Sequence, residues 1–397
     1  MKPLQSDRRI IRPRLSYTID HTLTPLSPQN TKHVINNIKN SPATGPDSII
    51  NFHLKHLGPQ GIQALTNISN YTYVHCLIPN IWKQGRIITI LKPNKDPTTP
   101  SSYRPITLLC TPSKITDRLI LNIIHPDVPL SPTQHGFRPL HSANSLLTNL
   151  TQHVLDGINS KIPAQRTQRT LYISKAFDAI PRHRLTDKLY NTNMHNNTKR
   201  WLANYLGGRQ SHVPFNGKSS HTRNFPNGVR NALFCPPTLF NIYMHDTPPT
   251  AANINIISYA DDFTITSTHN DIPTAAAQLQ SYLNTLQTWF DTNRLKVAPT
   301  KSTITLLTNY TKEHRHTPQL TLDNTTIPHK HSTKIPGVTY DTSLSFKDNV
   351  HNIKQICTYR LNTLLTLTGT YFGQHKETLT LIYKQFIRSV LEYASPA

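Results

Sequence analysis

The sequence predicts an α+β fold of more than one domain, and three patterns carry that reading. They are an apolar stripe at helical spacing after Ser142, a strand–turn–strand pattern over residues 86–108, and a second one over residues 254–266. Within a chain of 397 residues there is room for two or three domains, each with a sizeable core. Residues 1–26 carry Arg8, Arg9, Arg12 and Arg14 among scattered prolines without sustained periodicity, so they are expected to form a mobile basic arm. Order is expected from Ser27, where Ser-Pro supplies an N-cap and a first-turn proline and Val34, Ile35 and Ile38 share one helical face. A second helix follows Pro59, with Ile62, Leu65 and Ile68 at helical spacing.

Arg86–Leu91 and Tyr103–Leu108 read as short strands of a hairpin whose turn-rich link is basic. The stripe Leu146, Leu147, Leu150, Val154 and Ile158 predicts a long helix, followed by a Pro- and Gln-rich linker at 162–168 and a strand opening at Arg169. Helices are expected near 181–205 and 236–245, strands at 254–258 and 263–266, and a helix over 272–291. Further strands are expected near 303–308 and 335–340, then helices near 347–368 and 375–394. No fixed-period repeat is present, which argues against a solenoid.

Lys and Arg number 42 against 20 Asp and Glu, a formal charge of +22, and such a balance points to an acidic polymer, nucleic acid first. Composition tempers this: glycine is about 3% of the chain and proline about 8%, against usual values of ~7% and ~5%. Thr, Asn, His and Gln are abundant as well, the pattern a guanine-poor coding strand produces. The four cysteines, Cys76, Cys110, Cys235 and Cys357, form no C-x-x-C pair, which excludes a zinc ribbon, a redox motif or a disulfide framework. No stretch approaches the roughly 18 uncharged apolar residues of a membrane span, and the N-terminus lacks an apolar leader, so a soluble intracellular protein is expected.

Chemistry concentrates at Tyr259-Ala-Asp-Asp262, between two β-prone runs. Adjacent carboxylates on a tight turn place oxygen donors a few ångströms apart, an arrangement suited to hard divalent cations that also bind phosphate oxygens. Taken alone, such a turn is ordinary, since Asp favours turns for its own backbone hydrogen bonds.

Further strings stand in a fixed order around it. Upstream lie Ile78-Pro-Asn-Ile-Trp-Lys83, Lys92-Pro-Asn-Lys95, Ser102-Tyr-Arg-Pro-Ile-Thr-Leu108 and Gln134-His-Gly-Phe-Arg138. Ser174-Lys-Ala-Phe-Asp178 and Pro237-Thr-Leu-Phe-Asn-Ile-Tyr243 follow, and beyond the acidic turn come Asn293-Arg-Leu-Lys296, Lys301-Ser302, Pro336-Gly-Val338 and Glu392-Tyr-Ala-Ser-Pro396. From about Gly45 to the last residue this set resembles the reverse-transcriptase domain of non-LTR retrotransposons, LINE elements of the Jockey/CR1 type. The resemblance implies a right-hand polymerase, with fingers over 27–165, a palm over 166–345 and a partial, truncated helical thumb over 346–397. It implies attack of a DNA primer 3′-hydroxyl on the α-phosphate of a dNTP, directed by an RNA template and assisted by two Mg²⁺ (or Mn²⁺) ions. Asp261 and Asp262 then take metal positions. Phe177 takes the place of the aromatic beneath the sugar, Lys92 and Arg104 steady the triphosphate, and Gln134, Phe137 and Arg138 lie against the template. Lys301 matches a lysine that protonates pyrophosphate, and Asn231 stands where the family places a glutamine beside the templating base pair.

Two departures bear on activity. The family's third metal-binding Asp is replaced by Tyr172, a phenol with a pKa of about 10 that is neutral at pH 7 and offers one oxygen. Ala232 stands where a glycine is expected, adding a Cβ at a close approach. Asn349, where the family commonly has His, adds to the drift. An eroded or truncated copy, lacking an endonuclease domain and a Cys-His knuckle, is therefore expected to be impaired as an RNA-directed DNA polymerase. The alternatives are a catalytically silent nucleic-acid binder and a poorly folded pseudogene product. Nuclear access is inferred from how such elements integrate.

Overall fold

Ser27 opens the first helix as its sequence dictates. Its hydroxyl accepts from the Asn30 amide at 3.1 Å, and Pro28 takes the first helical position, where a missing N–H is harmless. This computed structural model describes residues 25–93, 95–159, 165–172, 180–215, 217–224, 228, 235–269, 271–308, 310–369 and 373–395. Order precedes the expected start: Leu26 is buried and its backbone exchanges two hydrogen bonds with the Asn70 side chain, at 2.8 and 2.9 Å. The arginine-bearing part of the arm lies outside the described residues.

The principal strands, numbered along the chain, are β1 (Gln84–Leu91), β2 (Tyr103–Leu108), β3 (Gln165–Tyr172), β4 (Gln210–His212), β5 (Arg223–Asn224), β6 (Ile254–Tyr259), β7 (Asp262–His269), β8 (Thr303–Leu307), β9 (Ser332–Ile335) and β10 (Val338–Asp341). They build two four-stranded sheets, ordered β2-β1-β4-β5 and β8-β3-β7-β6, with β9 and β10 as a separate hairpin. The chain divides into two compact units that interleave in sequence. The first takes Met1–Leu130 and Phe177–His245, and the second takes Ser131–Ala176 and Asp246–Ala397.

In the first unit the expected hairpin forms, with Arg86 opposite Leu108 and Leu91 opposite Tyr103. Its helices pack through a partly polar core. Helix Pro59–Val74 buries Leu65, Thr66, Ser69, Thr72 and Tyr73, whereas Ile68 of the expected apolar face is half exposed. The hydroxyls make that rotation tolerable. The Thr66 hydroxyl lies within hydrogen-bond distance of the Ile62 carbonyl and the Thr31 hydroxyl, Ser69 donates to the Leu65 carbonyl, and Thr72 donates to the Ser69 carbonyl, so each of these buried hydroxyls has a partner. The span expected as helix near 181–205 is two helices, Arg182–Tyr190 and Asn196–Leu206, broken where His195 caps the second.

The second unit is built on the sheet β8-β3-β7-β6. Helix Ala143–Asn159 supplies Leu146, Leu147, Leu150 and Val154 of the predicted stripe to a core shared with Ile257, Leu307, Ile335 and Tyr340. Helix Ile272–Thr292 buries Leu279, Leu283, Leu286 and Phe290, the last meeting Phe263 edge to face at 6.0 Å between ring centres. Three expectations are corrected here. The stretch read as a linker at 162–168 includes the start of β3, because Gln165–Tyr172 is paired on both sides, by β7 and β8. The single strand expected near 335–340 is the hairpin β9–β10, turned at Pro336-Gly337, where Gly337 adopts φ +87°. The helix expected over 375–394 loses its α pattern at Tyr383–Arg388, which forms a π turn.

Candidate active site

Tyr259 and Asp262 face each other across β6 and β7, so only Ala260 and Asp261 make the link. A two-residue hairpin demands positive φ, and Ala260 supplies it at +56°. An L-residue other than glycine is strained there by about 1–2 kcal/mol, since its Cβ crowds the following carbonyl.

Gln134 offsets that strain. It is 2% exposed, its Oε1 accepts from the Ala260 amide at 2.9 Å, and its Nε2 donates to the Ala260 carbonyl at 3.2 Å. The same Oε1 accepts from the Gly136 amide at 2.7 Å. Backbone bonds bring this loop alongside β6: the His135 amide donates to the Ser258 carbonyl, and the Ser258 amide donates to the Thr133 carbonyl, both at 2.8 Å. Gly136 is required by the approach, because a Cβ on it would stand 2.3 Å from the Ala260 nitrogen.

Asp261 and Asp262 are half-buried. Burial raises the pKa of Asp261, and burial together with the neighbouring Asp261 charge pushes Asp262 up to about 7. A pair of carboxyls desolvated and mutually repelling in this way is relieved by a divalent cation, and oxygen is the donor such cations prefer. Among the described residues no group of three or more His, Cys, Asp or Glu side chains is placed to hold a metal. The described residues of the turn therefore fit a divalent cation with two carboxylates. Strand β3 sets Tyr172 directly opposite Asp262 in backbone register.

The strand ends gather other predicted residues. Lys301 is exposed in a short turn just before Thr303, which pairs with Thr170 near the end of β3. Phe137 is 49% exposed with φ +57°, and Arg138 donates to the Ser131 carbonyl at 3.1 Å. Gln134, expected against the template, is instead buried beneath the acidic turn. The first unit carries Lys92 and Arg104 at one end of the β1–β2 hairpin. Lys92 Nζ donates to the Ser101 carbonyl at 2.8 Å, and Arg104 is exposed opposite Ile90. Phe177, Asp178, Asn231 and Ala232 lie outside the described residues, as does the side chain of Tyr172. Sequence reasoning missed Thr133 and Gly136 as supports of the turn; a glycine kept between His135 and Phe137 in a glycine-poor chain was the available signal.

Residues 90–340 match the family Reverse transcriptase (RNA-dependent DNA polymerase), well over half of the chain, and the chain belongs to that family. Membership carries the right-hand α+β class expected from the sequence, and reverse transcriptases as a family use a divalent metal. Among curated relatives, the chain is 28% identical to the probable RNA-directed DNA polymerase from transposon BS of Drosophila melanogaster, over 91% of this chain and 41% of that protein. It is 29% identical to the RNA-directed DNA polymerase from mobile element jockey of the same species, over 84% of this chain and 37% of that protein. The chain thus spans about two fifths of the length of these relatives. A solved telomerase from Candida tropicalis in complex with a fragment of telomeric RNA aligns with TM-score 0.47 and 11% identity, over 85% of this chain and 57% of that one. No helix among the described residues is long and apolar enough to cross a membrane.

Proposed function

We propose that this chain is the polymerase domain of a non-LTR retrotransposon's RNA-directed DNA polymerase, similar to the jockey type, with its nucleotidyl transfer impaired. The observation that carries this is the half-buried Asp261–Asp262 turn with Tyr172 across from Asp262 in β3. In the reaction the primer 3′-oxygen bonds to the α-phosphorus of a dNTP, and the bond from that phosphorus to the bridging oxygen breaks, releasing pyrophosphate. Asp261 and Asp262 would hold Mg²⁺ or Mn²⁺, which when bound favours the deprotonated hydroxyl and neutralises charge on the leaving group. The resemblance assigns triphosphate contacts to Lys92 and Arg104, the first as a point charge and the second as a fork donor. Lys301 delivers a proton to the departing pyrophosphate. The resemblance assigns the sugar to Phe177 and the templating pair to Asn231, both outside the described residues, and the template strand to Phe137 and Arg138. Fingers (27–165), palm (166–345) and thumb residues from 346 onward divide this labour, in a protein that acts inside the cell with access to the nucleus.

Tyr172 is why the activity is impaired. Directly opposed positions of an antiparallel pair hold their β-carbons about 4.5–5.5 Å apart, so an aspartate there completes the acidic set and a neutral phenol does not. The test is primer extension on an RNA template with Mg²⁺ or Mn²⁺. Expected is little product from the chain as it stands, and a gain of at least about tenfold from Tyr172→Asp combined with Ala232→Gly. Absence of product from that double variant, with no difference from its Asp262→Asn derivative, overturns the polymerase reading. It would favour the second one, a silent nucleic-acid binder, which the net charge of +22 supports.

A further inference from the structure

We propose that Gln134 is a positioning residue that sets the direction of the Asp261–Asp262 carboxylates by clamping the Ala260 peptide groups, an inference that rests on the polymerase reading of that turn. Three observations converge. The amide of Gln134 bonds both the N–H and the C=O of one residue, at 2.9 and 3.2 Å, and that residue is the member of the turn with positive φ. Every polar atom of the side chain is thereby engaged, Oε1 also taking the Gly136 amide at 2.7 Å. Burial to 2% leaves no face of Gln134 for a template strand.

The geometry explains why a glutamine serves here. A two-residue link leaves the Ala260 N–H and C=O outside the β6–β7 ladder, and a buried unpaired backbone group is unfavourable. A primary amide carries an acceptor oxygen and a donor nitrogen side by side, so it pairs with the N–H and the C=O of Ala260, which belong to successive peptide groups, at once. Ala260 immediately precedes the first carboxylate. Rotation of its φ and ψ swings Asp261 directly and Asp262 through the start of β7, so the clamp fixes where both acids point. The loop is itself anchored, since His135 Nδ1 lies 2.9 Å from the Ser145 hydroxyl at the start of helix Ala143–Asn159.

The test compares Gln134→Ala, Ala260→Gly and the double variant in the full chain. Hydrogen exchange at the Ala260 amide is followed by mass spectrometry, and Tb³⁺ binding by luminescence sensitised through Tyr259. Gln134→Ala is expected to speed exchange at Ala260 by about tenfold or more and to weaken Tb³⁺ binding several-fold. Adding Ala260→Gly is expected to restore Tb³⁺ affinity without restoring protection, because glycine holds positive φ unaided. A residue that merely fills the core would show equal loss of Tb³⁺ affinity in both backgrounds, and that result overturns the proposal. So does unchanged exchange at Ala260 in folded Gln134→Ala. Should Gln134→Ala not fold, Gln134→Glu carries the same measurement. It keeps the acceptor and loses the donor, so intermediate protection is expected, and full protection counts against the clamp. If the unsubstituted chain binds no Tb³⁺, the metal-site reading fails, while the exchange result still decides the role of Gln134.

Discussion

Two desolvated carboxyls, the half-buried Asp262 and the buried Asp117, titrate in opposite service. At the acidic turn the pair must lose protons to ligate a cation, and Asp262 is pushed up to about 7. Mn²⁺ binding is therefore expected to weaken as pH falls below about 7, by up to about tenfold per unit, and an Mn²⁺ titration by electron paramagnetic resonance between about pH 5.5 and 8 checks it. Asp262→Asn should remove most of that dependence. Asp117 is buried in the first unit, accepts from the Tyr205 hydroxyl at 3.1 Å, and is raised to about 7, chiefly by burial, against the nearby Arg209 charge. Its folded-state pKa lies above the unfolded value near 3.8, so the folded state binds the extra proton between the two. Asp117 then adds stability in full below about pH 4, and this is lost as pH rises through about 7. Urea unfolding at about pH 5 and 8 should show a loss that Asp117→Asn flattens, with a limit of about 1.4 kcal/mol per pH unit. The acidic turn was legible from sequence because collinear strings flank it. The work of Gln134 was not, since its three hydrogen bonds reach a residue 126 positions away or its own loop, and no spacing rule spans that distance.

Helices and strands of this chain treat a buried hydroxyl differently. Within helix Pro59–Val74 the carbonyl one turn back accepts from Thr66 and Ser69. Strands offer no such acceptor, their carbonyls being committed to the ladder. Among the described residues, the hydroxyls of Thr266 and Thr268 in β7 and Thr305 in β8 are buried without a hydrogen-bond partner. Thr305→Val, of nearly the same shape, is expected to raise stability by about 1 kcal/mol, read as an increase in the denaturation midpoint. The same contrast explains which elements sequence reasoning placed well. Long apolar stripes such as Leu146 to Val154 keep their period in the fold. The polar stretch 165–168 reads as linker because its strand character comes from pairing on both edges, which composition does not display. Helix Pro59–Val74 was found, yet its buried face was misassigned, since threonine and serine occupy positions that apolar counting leaves out.

For the whole molecule, a charge of +22 and family membership lead to one expectation about binding. Affinity for a primer–template duplex should fall by more than about tenfold between about 50 and 200 mM salt, whether or not the chain extends the primer. Fluorescence anisotropy with a labelled duplex measures this; affinity independent of salt would remove the electrostatic footing of both functional readings. Overall class, strand-flanked acids and basic hairpin were all readable from one sequence, because each is local or repeats a period. The interleaving of the two units was not, as chain order does not reveal that Phe177–His245 packs with residues before Leu130. The hydroxyl-rich interior has a thermal consequence. Exposure of apolar surface raises the heat capacity of a chain and exposure of polar surface lowers it, so threonine and serine inside the protein reduce the increment that accompanies unfolding. The free-energy curve against temperature is therefore expected to be broader than that of a valine-filled interior, with folding preserved further into the cold.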